Sequence, residues 1–161
     1  GTWLKNRRNG KGTYLYADGE YYTGDWKDGM QNGKGIYKFR NGDVYEGQYV
    51  MGERTVEGTF RFANGDSYIG QFLHGEQSGH GTFQWKGVAT YTGQWKNNMM
   101  HGRGVYKWKN GDEYNGEWKN NQMDGEGTIR YAAGGRFKGT FSQGKRHGKS
   151  AEIRADGTRI D

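Results

Sequence analysis

The strongest constraint on this chain is a period. Tyr-x-Gly-x-Trp-Lys stands at Tyr22–Lys27, Tyr91–Lys96 and Tyr114–Lys119, and softer copies begin at Tyr45, Tyr68 and Phe137. The starts fall at 22, 45, 68, 91, 114 and 137, a spacing of 23 residues without slippage. Gly1-Thr2-Trp3 reads as the tail of an earlier copy, one period before Gly24. A fixed period of this size is the mark of a repeat architecture. It gives a partial repeat at 1–21, whole repeats at 22–44, 45–67, 68–90, 91–113 and 114–136, and a capping repeat at 137–161, all in one array.

Each repeat reads as two strands. Tyr22, Gly24 and Trp26 alternate with Thr23, Asp25 and Lys27, which is the period of two expected for a strand with an aromatic face and a polar face. In the second strand Gly35, Tyr37 and Phe39 alternate with Ile36 and Lys38. The second-strand pairs elsewhere are Tyr14/Tyr16, Phe60/Phe62, Phe83/Trp85 and Tyr106/Trp108. Asn41-Gly42 could close a two-residue hairpin, but that would put Tyr37 and Tyr45 on opposite faces. A three-residue loop, Arg40-Asn41-Gly42, with Gly42 left-handed, pairs Tyr37 with Tyr45 and gathers all rings on one face. Only this register leaves a face worth burying. Gly24 and Gly35 lie on that face, where a bare backbone leaves room for a ring. Gly33 is assigned to a longer connection from Lys27 to Lys34. The fold expected is all-β: an elongated, single-layer, twisted antiparallel ribbon of stacked β-hairpins with about fourteen short strands.

These residues resemble the MORN repeat: Tyr-x-Gly-x-Trp-Lys, a Gly-x-Gly about ten residues on, then a Gly turn. The first Gly of Gly-x-Gly stands at Gly10, Gly33, Gly79, Gly102 and Gly125, but Val56 replaces it in one repeat. The last repeat has Glu152 and Arg154 where others have aromatics, as a polar cap requires. The resemblance implies scaffolding and docking, sometimes beside acidic lipids. An all-MORN chain is most similar to protozoan cytoskeletal scaffolds, which implies a cytoplasmic protein associated with cytoskeleton or membrane.

The composition carries no aliphatic core and no thiol chemistry: Gly is 31 of 161 residues, aromatics are 16%, and there is no Cys. Zero Cys excludes disulfides and thiolate metal sites. No catalytic set, metal site or cofactor motif is read. Gly144–Ser150 ends in Gly-Lys-Ser, but Gln143 stands where a phosphate loop needs Gly. His101 and His147 share one register with Asn9, Asn32, Thr55, Ser78 and Asp124, a loop position rather than a ligand set. Asp43, Asp66 and Asp112 follow the turn Gly and read as turn residues.

Two surfaces remain. An aromatic groove holds Tyr68, Phe72, Tyr91, Trp95, Tyr114 and Trp118, with Trp85 and Trp108 across it, and is expected to take a peptide or helix from a protein partner. The opposite face carries Lys38, Arg61, Lys107 and Arg130, interrupted by Gln84, and offers contacts for acidic phospholipid such as phosphoinositide. Of the net charge of +6, most sits at the ends: residues 137–161 carry six basic and three acidic groups. The nearly neutral repeats argue against nucleic acid. Open ribbon ends invite pairing, so a homodimer through one end, the C-terminal one, is expected.

Overall fold

A computed structural model describes the backbone of residues 2–3, 9–154 and 157–160. Residues 1, 4–8, 155–156 and 161 lie outside the described residues, including Ala155 and Asp156 of the turn expected there, as do the side chains at 2, 3, 149, 150, 159 and 160. The chain forms two compact units, Gly1–Gln77 and Ser78–Asp161. Each is an antiparallel sheet whose strands follow chain order. The first unit holds β1 (Thr2–Trp3), β2 (Gly10–Leu15), β3 (Tyr21–Lys27), β4 (Met30–Lys38), β5 (Val44–Val50), β6 (Glu53–Arg61) and β7 (Ser67–Leu73). The second holds β8 (Glu76–Trp85) from Ser78 onward, β9 (Ala89–Lys96), β10 (Met99–Trp108), β11 (Glu113–Lys119), β12 (Gln122–Arg130), β13 (Gly135–Ser142), β14 (Lys145–Arg154) and β15 (Arg159–Ile160). Among the described residues there is no helix, and the fold is the all-β, single-layer ribbon of hairpins expected.

The three-residue loop is as read. Tyr37 pairs with Tyr45 and Lys38 with Val44. Phe39 N–H donates to Asp43 O at 2.9 Å, and Gly42, at φ 99°, donates back to Phe39 O at 3.1 Å. Asp43 does more than turn the chain. Its Oδ1 accepts from Ala63 N–H at 2.7 Å in the next loop, and Asp112 does the same to Ala132 at 2.8 Å. Glu20 takes this role for Arg40 at 3.0 Å.

The other end of the repeat corrects the expectation. No long connection joins Lys27 to Lys34. Lys27 pairs with Met30 across a two-residue turn, Asp28-Gly29, with φ 51° and 77°. That is the primed hairpin turn whose twist matches the strands. Met51-Gly52, His74-Gly75, Asn97-Asn98, Asn120-Asn121 and Gln143-Gly144 repeat it. The surplus residues are absorbed by a bulge: Gly24 pairs with Gly35 and Trp26 with Gln31, so Asn32, Gly33 and Lys34 face Asp25 alone. The register shared by Asn32, His101 and Asp124 therefore lies in strands rather than in a loop. There Asn9 and Asn32 accept from the turn amides of Asp28 and Met51 at 2.9 and 3.0 Å. Gly144–Ser150 opens β14 from a hairpin turn, so it has none of a phosphate loop's strand-to-helix setting.

Val56 keeps the repeat's backbone at a cost. It stands at φ 68°, where the other repeats have Gly33 (101°), Gly79 (91°), Gly102 (74°) and Gly125 (99°). A β-branched residue there is strained by roughly 1–3 kcal/mol. After glycine's larger chain entropy, Val56→Gly is expected to stabilise by about 1 kcal/mol. The urea midpoint should rise; an unchanged or lower midpoint would remove the strain argument.

Candidate functional site

The aromatic face has two tiers, and the sequence separates them by strand. The inner tier comes from the first strand of each repeat. Tyr22, Tyr45, Tyr68, Tyr91 and Tyr114 are all 0% exposed. Each ring lies over the paired glycines of its own hairpin; a Cβ at Gly35, Gly58, Gly104 or Gly127 would run into Tyr22, Tyr45, Tyr91 or Tyr114. Each hydroxyl finds the carbonyl three residues on, Tyr91 to Gln94 O at 2.8 Å and Tyr68 to Gln71 O at 2.7 Å. Edge-to-face contacts link the rings into a chain. In the second unit Tyr91 meets Trp95 at 5.1 Å and Trp118 at 5.4 Å, and Tyr114 meets Trp118 at 5.2 Å and Phe141 at 5.2 Å. The indole N–H groups are also satisfied: Trp95 donates to Gly81 O at 3.0 Å and Trp118 to Gly104 O at 3.2 Å.

This alters the expected groove. Tyr68, Phe72, Tyr91, Trp95, Tyr114 and Trp118 are core, none more than 6% exposed. The physical reason is that rings of the following repeat cover them, Phe72 over Tyr45, Trp118 over Tyr91 and Phe141 over Tyr114, which a single repeat read alone does not reveal. Trp85 and Trp108 are half-buried and open to contact.

Those two belong to the outer tier, built by the second strands. In the second unit Phe83, Trp85, Tyr106 and Trp108 form a zigzag with centroid steps of 4.4, 5.6 and 5.0 Å. In the first unit Tyr14, Tyr16, Tyr37, Phe39, Phe60 and Phe62 step at 4.6, 5.7, 4.6, 5.5 and 4.6 Å. All these rings are half-buried. Such a ladder offers large, rigid apolar contact area at small entropic cost, together with tyrosine hydroxyls. A register overlooked in the sequence also points into this face: Gln31, Arg54, Met100, Met123 and Arg146, paired with Trp26, Tyr49, Trp95, Trp118 and Phe141, and the buried Gln77 between them in sequence. In the first unit Gln31, Tyr37, Phe39, Tyr49, Glu53 and Arg54 line an open pocket of about 320 Å³.

The reverse face carries the basic register as expected. Lys38 and Arg61 are exposed and both oppose Val44; Arg61 lies 3.9 Å from Glu46. In the second unit Glu113 sits between Lys107 and Arg130, and Arg130 directly opposes Arg136. Lys138 lies nearby, lining an open depression with Arg103, Glu126 and Thr128. Among the described residues, no group of three His, Cys, Asp or Glu side chains is placed to hold a metal ion.

Burial holds the inner phenols protonated. It pushes Tyr45 and Tyr114 up to about 12, and raises Tyr22, Tyr68 and Tyr91 further in the same direction. An unfolded tyrosine ionises near 10. Their stabilising contribution is therefore complete below pH ~10 and falls as pH rises from there towards ~12. Alkaline titration should show tyrosinate absorbance rising cooperatively with loss of strand signal in this window. Ionisation at pH ~10 with the sheet intact would contradict the burial argument.

A family model described as MORN repeat matches residues 1–21, 22–44, 45–67, 68–87, 91–113, 114–136 and 137–159. No curated protein matches the chain. Among solved structures, the chain is similar to the SAS-4 (dCPAP) TCP domain of Drosophila melanogaster, solved in complex with a proline-rich motif of Ana2 (dSTIL). The two are 14% identical with a TM-score of 0.61, over 99% of this chain and 87% of that one. At this identity the likeness shows the fold alone. Virginiamycin B lyase from Staphylococcus aureus aligns at 8% identity over 99% of this chain and 71% of that one, but its TM-score of 0.25 carries no argument.

Proposed function

Because the chain belongs to the MORN-repeat family, we propose that it is a non-enzymatic protein-interaction scaffold that seats an extended, proline-rich peptide along its outer aromatic tier. The observation that carries this reading is the zigzag of half-buried rings contributed by successive second strands. A polyproline segment is already extended and loses little entropy on docking, and its rings lie flat on aromatic side chains. The TCP domain, of the same fold, is solved with a proline-rich motif bound, which supports a peptide of this chemistry here.

The test must avoid the core. Trp95→Ala or Trp118→Ala removes a buried ring and would cost about 3–5 kcal/mol of stability. Trp85→Ala with Trp108→Ala truncates the outer tier and leaves the inner chain of rings in place. For a proline-rich peptide captured on this face, the double variant should weaken binding at least tenfold, since aromatic anchors at an interface are commonly worth ~2 kcal/mol or more. Unchanged affinity in a folded variant would overturn the groove.

A second reading rests on the opposed pair Arg130 and Arg136. Like charges directly across a sheet are unfavourable, so an anionic ligand would relieve them. On this reading the reverse face meets acidic phospholipid. Lys107→Glu with Arg130→Glu should abolish flotation with phosphoinositide liposomes, and wild-type flotation should weaken with salt. Flotation of the variant at wild-type levels would discard it. A cytoplasmic, cytoskeleton-associated scaffold that pairs with a second copy through a ribbon end belongs to the leading reading. Light scattering tests the pairing, and a monomer mass removes it.

A further inference from the structure

The register that points into the outer tier carries its own internal control. Two of its polar members reach the ring fifteen residues before them. Gln31 Nε2 donates to the Tyr16 hydroxyl at 3.2 Å. Arg146 Nη2 donates to the Tyr131 hydroxyl at 2.6 Å, and its Nη1 lies 4.0 Å from Glu152. Met100 and Met123 need no acceptor, and the residues fifteen before them are Trp85 and Trp108. In these places the polar or apolar character of the inward side chain agrees with its neighbours; Gln77, in the same register, has Phe62 at that position but carries no charge.

Arg54 breaks the agreement. The position fifteen before it is Phe39, and the position matching Glu152 is Phe60; neither can accept a hydrogen bond. The guanidinium carbon stands 5.9 Å from the Phe39 ring, 5.5 Å from Phe60 and 5.7 Å from Tyr45. Nη2 donates to Gly75 O at 3.0 Å, while Nε is buried with no acceptor. Among the described residues no carboxylate lies within ion-pair distance of Arg54. Glu53, beside it, is 2.9 Å from His74. Rings attract a cation but do not neutralise it. The result is an under-satisfied guanidinium in the wall of the 320 Å³ pocket, at the foot of the outer tier.

Resting on the peptide reading above, we propose that this pocket seats the carboxylate of an aspartate or glutamate side chain carried by the bound proline-rich peptide. The planar fork of N–H donors matches a carboxylate, and the charge-assisted bonds are about twice as strong as neutral ones. The flanking prolines then lie on Tyr37 and Phe39, which line the same pocket. The site adds selection for an acidic residue at one point of an otherwise apolar track.

The probes are two blocked oligoproline peptides, identical except for a central glutamate or glutamine. Wild type should bind the glutamate peptide at least tenfold tighter by fluorescence anisotropy. Arg54→Met, which installs the side chain that Met100 and Met123 already place in this register, should keep its thermal unfolding midpoint and lose the preference. Phe39→Tyr should supply the hydroxyl that Tyr131 gives Arg146, and reduce the preference several-fold without removing either side chain. Equal binding of both peptides by wild type, or a preference untouched in Arg54→Met, overturns the carboxylate site and leaves the groove standing. Failure of both peptides to bind overturns the groove and the site with it. Displacement of both peptides equally by inorganic phosphate would make the pocket a general anion site and also overturn the proposal.

Discussion

The interaction on which this structure depends is a tyrosine ring laid flat over two glycines. A lone hairpin cannot bury its own face, and a single-layer sheet has no second layer to help it. The repeat solves this within one strand pair. Paired glycines such as Gly93 and Gly104 remove the Cβ atoms, the Tyr91 ring drops onto the bare backbone, and its hydroxyl takes the carbonyl that the bulge turns inward. A core then exists without aliphatic side chains, and edge-to-face contacts carry it from one repeat to the next.

Much of this was legible because the period multiplies weak signals. One Asn-Gly admits two hairpin registers; the need to gather Tyr37 and Tyr45 on one face leaves one, and that one is found. The second turn was hidden for a local reason. Asp28-Gly29 and Asn97-Asn98 do carry the primed-turn signal, but Met51, His74 and Gln143 take positive φ without being glycine or asparagine, and the following bulge makes a continuous strand resemble a loop. The depth of burial was hidden for a longer-range one. Trp95 and Trp118 alternate like surface-groove residues within a repeat, yet Trp118 is what covers Tyr91. Arg54 escaped because it sits in the stretch misread as a connection, although its contrast with Arg146 is visible once the repeats are aligned.

The two faces follow different rules. The aromatic face is set by shape, and its departures from the repeat are few and local: Val56 in the backbone, Arg54 in the outer tier. The reverse face is charged and exposed: Glu113 separates Lys107 from Arg130 and Glu46 lies near Arg61, but Arg130 directly opposes Arg136. Substitution on that face changes which surfaces the protein repels or attracts with little effect on the core.

The carboxylates that reach from one loop to the next amide, Asp43 to Ala63 and Asp112 to Ala132, work only between neighbours twenty residues apart. Among the described residues the ring contacts also reach only into the next repeat, as Tyr91 to Trp118 and Tyr114 to Phe141 do, so energetic damage at one repeat fades within its neighbours. Insertions and deletions are tolerated in a quantum: whole repeats leave every tie intact, while a change of one or two residues breaks ring, bulge and loop together. A gene duplication of one repeat thus yields a longer ladder of rings in a single step, with no new fold to invent.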